Sequence, residues 1–164
     1  MKLFGCDIAC ETCSIIGQFS IVWAQFELEF FENNYNVKKH IKIIIKEKSD
    51  NVVKNIKLVK KSLQNYAKEN YDAGFNWVDK LCVRDNEKEY KDNVEKFLNG
   101  GALSLDDQIK TCIFICSRLR NNLLHGLKDI YYLNKQIKIF ISAKKFLETI
   151  VNERTINVIS GGNV

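Results

Sequence analysis

Ser104-Leu105-Asp106-Asp107-Gln108-Ile109-Lys110-Thr111-Cys112-Ile113-Phe114-Ile115-Cys116-Ser117-Arg118-Leu119-Arg120-Asn121-Asn122-Leu123-Leu124-His125-Gly126 is the stretch on which the fold turns. It opens with a helix-capping signature: a hydroxyl at the N-cap and a carboxylate three residues on, with two acids placed favourably for the helix dipole. Ile109, Cys112, Ile113, Cys116, Leu119 and Leu123 then recur at spacings of three and four, the period of a helix with one buried face. Gly126 suits the left-handed position just past a helix end. Arg120 falls inside the apolar stripe of this helix. Asn121 and His125, four residues apart, share a different side. An arginine on an otherwise aliphatic face is costly unless it is paired or opens on a cleft. The alternative is plainer: Arg120 extends to the surface and His125 decorates the helix end, well placed against the dipole.

The rest of the chain is helical in pattern. In residues 11–33, Ile15, Phe19, Val22, Trp23, Phe26, Phe30 and Phe31 mark a helix with a wide apolar face. In residues 37–70, Ile41, Ile44, Ile45, Val52, Ile56, Val59, Leu63 and Tyr66 form a narrower stripe, with lysines 38, 39, 42, 46, 54, 57, 60 and 61 on much of the other face. One helix of that length would run about 50 Å, and Ser49-Asp50 offers a restart with a good N-cap. Residues 72–104 are the least regular. Phe75, Trp77, Val78 and Leu81 suggest one turn, and residues 86–99 a short helix stopped by Gly100-Gly101. Residues 129–153 carry a last helix on Ile130, Leu133, Ile137, Phe140, Ile141, Leu147 and Val151, followed by a tail, 154–164, expected to fray. No run alternates with period two long enough for a sheet. The expectation is one all-α domain over residues 1–164, a bundle of four main helices with a short helical insertion, about 72–104, before the helix of Arg120.

Composition bounds the function. The chain has 164 residues, 46% apolar and 27% charged, so a packed core is affordable. It contains no proline, which favours long helices. A net charge of +5 is compatible with a polyanionic partner without requiring one. The start of the chain lacks the apolar run of a secretory signal, and the most apolar window, residues 14–31, carries Gln18, Gln25, Glu27 and Glu29, too polar to span a bilayer. A cytoplasmic protein with six reduced thiols is expected. Cys6-x3-Cys10-x2-Cys13 has the spacing of the cluster motif of radical SAM enzymes, but those need a larger α/β barrel, so small buried thiols are expected here and at Cys112 and Cys116. Two histidines, His40 and His125, exclude a multi-histidine metal site within one chain, and His40, among lysines, reads as solvated. No Ser-His-Asp or phosphate-loop motif is present.

Arg120-Asn121-Asn122-Leu123-Leu124-His125 resembles the R-x(4–6)-H motif of the HEPN superfamily, all-α domains often found as ribonucleases. Two long helices, an irregular insertion, a motif helix and a last helix resemble its architecture. The resemblance implies RNA cleavage without metal or cofactor, in a homodimer whose two motifs meet in one composite site. His125 would serve as acid or base and Arg120 would hold the scissile phosphate. Asn121 would orient His125 or the phosphate. It implies 2′,3′-cyclic phosphate ends, a toxin–antitoxin or phage-defence setting, and an antitoxin or nucleotidyltransferase as protein partner. The alternative is a non-catalytic dimerisation or RNA/nucleotide-binding module.

Overall fold

The computed structural model describes residues 2–3, 6–31, 49–71, 76, 77, 81, 88–125 and 132–160. Its described side chains are those of 8–31, 49–71, 76, 77, 81, 90–123 and 132–153. Five helices dominate: α1 (Cys10–Phe31), α2 (Asp50–Asn70), α3 (Lys88–Asn99), α4 (Leu105–His125) and α5 (Leu133–Ser160). The only strands among the described residues are β1 (Lys2–Leu3) and β2 (Cys6–Asp7), an antiparallel pair. The class is all-α, as expected. The small pair was not, since two residues are too few to leave a period in the sequence.

Local chemistry sets the helix ends. Ser49 caps α2, its hydroxyl accepting from the Val52 N–H at 3.2 Å, so a helix does start at Ser49-Asp50 as the cap suggested. The preceding residues, with His40 and Lys38, Lys39, Lys42 and Lys46, lie outside the described residues. Gly100 ends α3 at φ 81°, and the Gly101 N–H reaches back to the Lys96 carbonyl at 2.8 Å. That bond spans six residues and closes the Schellman turn, which glycine at the left-handed position makes inexpensive. At the far end α5 departs from expectation. It continues to Ser160, so residues 154–160 are helix rather than frayed tail. Nothing between Arg154 and Ser160 breaks a helix; the first breakers are Gly161 and Gly162.

α5 organises two neighbours. α1 runs beside it in the same direction: the Ala9 N–H donates to Asn134 Oδ1 at 3.0 Å, Phe19 meets Phe140 edge-on at 5.4 Å, and Lys144 donates to Gln18 at 3.1 Å. α2 runs antiparallel to it along its whole length. Ser49 donates to Glu153, Asn55 to Thr149 at 2.8 Å, and Gln136 to the Tyr66 hydroxyl at 3.3 Å, while the Ser62 and Ser142 hydroxyls meet at 2.7 Å. These polar pairs fix the register, since a slip of one turn would strand all of them. α3 contributes Val94, Phe97 and Leu98 to the shared core, so the irregular region supplies a true core helix. Trp77 donates to the Leu63 carbonyl at 3.1 Å and Leu81 is 1% exposed, so part of the expected turn is packed in place. Phe75 and Val78 lie outside the described residues.

Replacing Phe140, 1% exposed and edge-on to Phe19, removes one of the contacts that hold α1 on α5. Phe140→Ala is expected to cost about 3–5 kcal/mol in urea unfolding, whereas Leu58→Ala, on the outer side of α2, is expected to change stability by under about 0.5 kcal/mol.

Candidate functional site

The site expected from the sequence lies at the C-terminal end of α4, and α4 is the most enclosed helix of the fold. Ser104 caps its start: the Asp107 N–H donates to Ser104 Oγ at 3.1 Å, and Ser104 Oγ donates to the Asp107 carboxylate at 2.6 Å. From Thr111 through Leu119 every residue is buried. A helix buried on all sides is a central helix, and α4 meets each of the other four. This corrects the expectation of a single apolar stripe. Phe114 stacks on Tyr90 of α3 with ring centres 4.7 Å apart, and Thr111 and Ser117 turn their hydroxyls onto the α4 backbone, donating to the Asp107 and Phe114 carbonyls. Hydroxyls satisfied within the helix are what allow it to bury a polar side.

Enclosure ends at the motif. Leu119 is buried, Arg120 and Asn121 are half-buried, and Asn122 is exposed. Arg120 Nη1 donates to Asn121 Oδ1 at 3.1 Å. The guanidinium therefore neither sits in a dry core nor swings free. It is held at the rim of the bundle by its neighbour. Leu123 returns to pack against the core. His125 is the last residue of α4, on the same helical side as Asn121 by position; its side chain and Gly126 lie outside the described residues. Arg120 and Asn121 are thus brought together, and Asn121 stands between arginine and histidine in the chain and on the helix surface.

Arg118 was missed. It is 8% exposed, deeper than Arg120. On a helical wheel it falls opposite Ile109, on the side read as wet. The available signal was the run from Thr111 to Ser117, small or apolar at every position.

The thiols divide sharply. Cys112 and Cys116 are fully buried, and burial pushes both well above the ordinary value of 9.0, with Cys116 adding to the effect at Cys112. They are core packing, as expected, and poor nucleophiles or metal ligands. Cys10 is exposed and Cys13 half-buried, against the expectation of buried thiols. Both lie on the first turn of α1, on the sides that Thr12, which is buried, does not take. No group of three metal-ligating side chains occurs among the described residues, and no described helix is long and apolar enough to cross a membrane.

Two further surfaces bear on charge. Lys54, Lys57, Lys61 and Lys68 are all exposed on one side of α2, while Lys60 lies over the Phe97 ring at 5.7 Å. A shallow groove lined by Asp92, Glu95, Lys96, Asn99 and Gly101 sits at the end of α3 that leads into the start of α4. Two carboxylates against one lysine suit it poorly to a polyanion. Glu27 of α1 accepts from the Trp23 indole at 3.1 Å. Comparison of the chain with family models, curated proteins and solved structures finds no match.

Native protein treated with a thiol reagent is expected to label Cys10 quickly and to leave Cys112 and Cys116 unlabelled until unfolding, read by mass spectrometry. The same burial gives a pH dependence. Unfolding returns both thiols to about 9.0, so above that pH the unfolded chain sheds protons that the folded chain keeps. Stability present in full well below pH 9.0 should fall above it by up to about 1.4 kcal/mol per pH unit for each thiol. Urea melts from pH 8 to 10 check this, and Cys112→Ala/Cys116→Ala should be less stable throughout but lose that part of the slope.

Proposed function

We propose that the chain is a metal-independent endoribonuclease of the HEPN type, acting as a homodimer with a composite site. The observation that carries the reading is the arginine at the rim of the central helix. Arg120 is half-buried, tied to Asn121 and five residues from His125 in a motif of matching spacing. A guanidinium steadied by an amide can present its remaining donors to a phosphate without reorganising, which is where such a group lowers a barrier. Cleavage by 2′-OH attack needs a base, an acid for the leaving 5′-oxygen, and a cation for the charged phosphorane. Arg120 supplies the cation. His125 supplies one proton transfer, and its copy in the second protomer supplies the other. Asn121 positions Arg120. The setting that fits is intracellular RNA cleavage in toxin–antitoxin or phage defence, with an antitoxin or nucleotidyltransferase as partner.

The exposed lysine row of α2 favours a second reading, an RNA-binding module without cleavage. Four contacts to single-stranded RNA would give a salt slope of about −3 in log–log form.

Incubation of the protein with RNA in EDTA is expected to yield 2′,3′-cyclic phosphate and 5′-hydroxyl ends. Arg120→Ala and His125→Ala should each lower the rate by roughly 100-fold or more, and Asn121→Ala by less, with the helical spectrum unchanged in all three. Equal cleavage by wild type and both variants contradicts the site. Salt-sensitive binding with no cleavage supports the module.

A further inference from the structure

Cys10-Glu11-Thr12-Cys13 opens α1, and neither the core nor the Arg120 site uses its two thiols. Both are free. Cys10 is exposed and Cys13 half-buried. The turn that carries them is held at three points. The Cys13 N–H donates to the Ala9 carbonyl at 3.1 Å, which closes the first helical bond. The Ala9 N–H donates to Asn134 Oδ1 of α5 at 3.0 Å. Thr12, between the two thiols, is 2% exposed. The pair therefore stands on a formed turn that is docked against a second helix.

We propose that Cys10 and Cys13 form a reversible dithiol–disulfide pair that exchanges with small-molecule disulfides of the oxidised-glutathione class. Spacing permits the bond. Residues three apart on a helix have Cα atoms about 5 Å apart, inside the roughly 4.4–6.8 Å that a disulfide spans. Their Cβ atoms stand about 5–6 Å apart where a disulfide needs about 3.5–4.5 Å, so the turn must tighten by about 1–2 Å. A helix start allows this. Cys10 is the first residue of α1, and its N–H has no bond within the helix to lose. Cys112 and Cys116 sit four apart in the middle of α4, fully buried, and are denied both the movement and the reagent. Exposure assigns the roles. The exposed Cys10 thiolate attacks one sulfur of RSSR; the Cys10 Sγ–SR bond forms, the S–S bond of the reagent breaks, and RS⁻ leaves. The half-buried Cys13 thiolate then attacks Cys10 Sγ, closing the ring and expelling the second RS⁻. The protein gives up two electrons and two protons, and RSSR becomes two RSH. A surface disulfide that holds its turn tightened is readily reduced, so excess RSH runs both steps backwards.

The pair is independent of the ribonuclease reading and is tested without RNA. The reduced full chain is incubated with excess oxidised glutathione, quenched with acid, and mapped by mass spectrometry with fragmentation to assign the bonded sulfurs. The wild type is expected to lose about 2 Da with Cys10 joined to Cys13, and to recover both thiols in excess reduced glutathione. Cys13→Ser should stop at a mixed disulfide on Cys10. Cys10→Ser should form its mixed disulfide on Cys13 about tenfold or more slowly than Cys13→Ser forms its own. Cys112 and Cys116 should remain thiols throughout, and the helical spectrum should be unchanged in both variants. A wild type that keeps glutathione on Cys10, or that joins Cys10 or Cys13 to Cys6 instead, overturns the proposal. Equal rates in the two single variants overturn the assignment of Cys10 as the attacking thiol. A Cys10–Cys13 bond that excess reduced glutathione leaves closed overturns its reversibility.

Discussion

Enclosure of α4 is the constraint on which the rest depends. A helix of 21 residues touched by all four others can carry almost no charge along its middle. Thr111 to Leu119 obey this, with hydroxyls folded onto their own backbone and thiols kept protonated by burial. The exception within the run is Arg118, and the first residue past it is Arg120. Position relative to the end of the enclosure therefore distinguishes two arginines that the chain places two residues apart. One belongs to the interior; the other stands at the rim, where a ligand can reach it.

The remaining helices are arranged to keep α4 covered. The α2–α5 contact is stitched by hydroxyl and amide pairs at intervals down its length. Each contributes about 1 kcal/mol, and together they select one register from several that apolar packing alone would tolerate. The aromatic face of α1, anchored where Phe19 meets Phe140, closes a second flank. α3 closes a third through Tyr90 on Phe114. The same arrangement leaves Ile21 and Leu28 exposed on the outer side of α1.

What could be read in the chain beforehand was the short-range chemistry. Ser49 and Ser104 announce helix starts because a hydroxyl beside acids answers a need three residues away, and Gly100 announces a stop because only glycine is easy at positive φ. The stripe Phe19, Trp23, Phe26, Phe30 was legible because one side of α1 is uniformly large. All-round burial of α4 was not, since a helical wheel presumes one wet side and so put Arg118 in water. The reach of α5 to Ser160 was hidden by its polar end, where pattern fades but no breaker stands. At the candidate site, the proximity of Asn121 to His125 follows from spacing. The bond between Arg120 and Asn121 does not, because adjacent residues point about 100° apart on a helix and only the bundle rim decides which way a long side chain turns.

Hydrogen exchange under native conditions tests the central position of α4 most directly. If it is enclosed on every side, the amides of Thr111 to Leu119 open only with global unfolding, and those of Arg120 to Leu123 exchange sooner as the helix leaves the bundle. If the amides of Thr111 to Leu119 exchange by a smaller local opening than those of α2 and α5, α4 is a peripheral helix. The account of why Arg120 stands at a rim then fails with it.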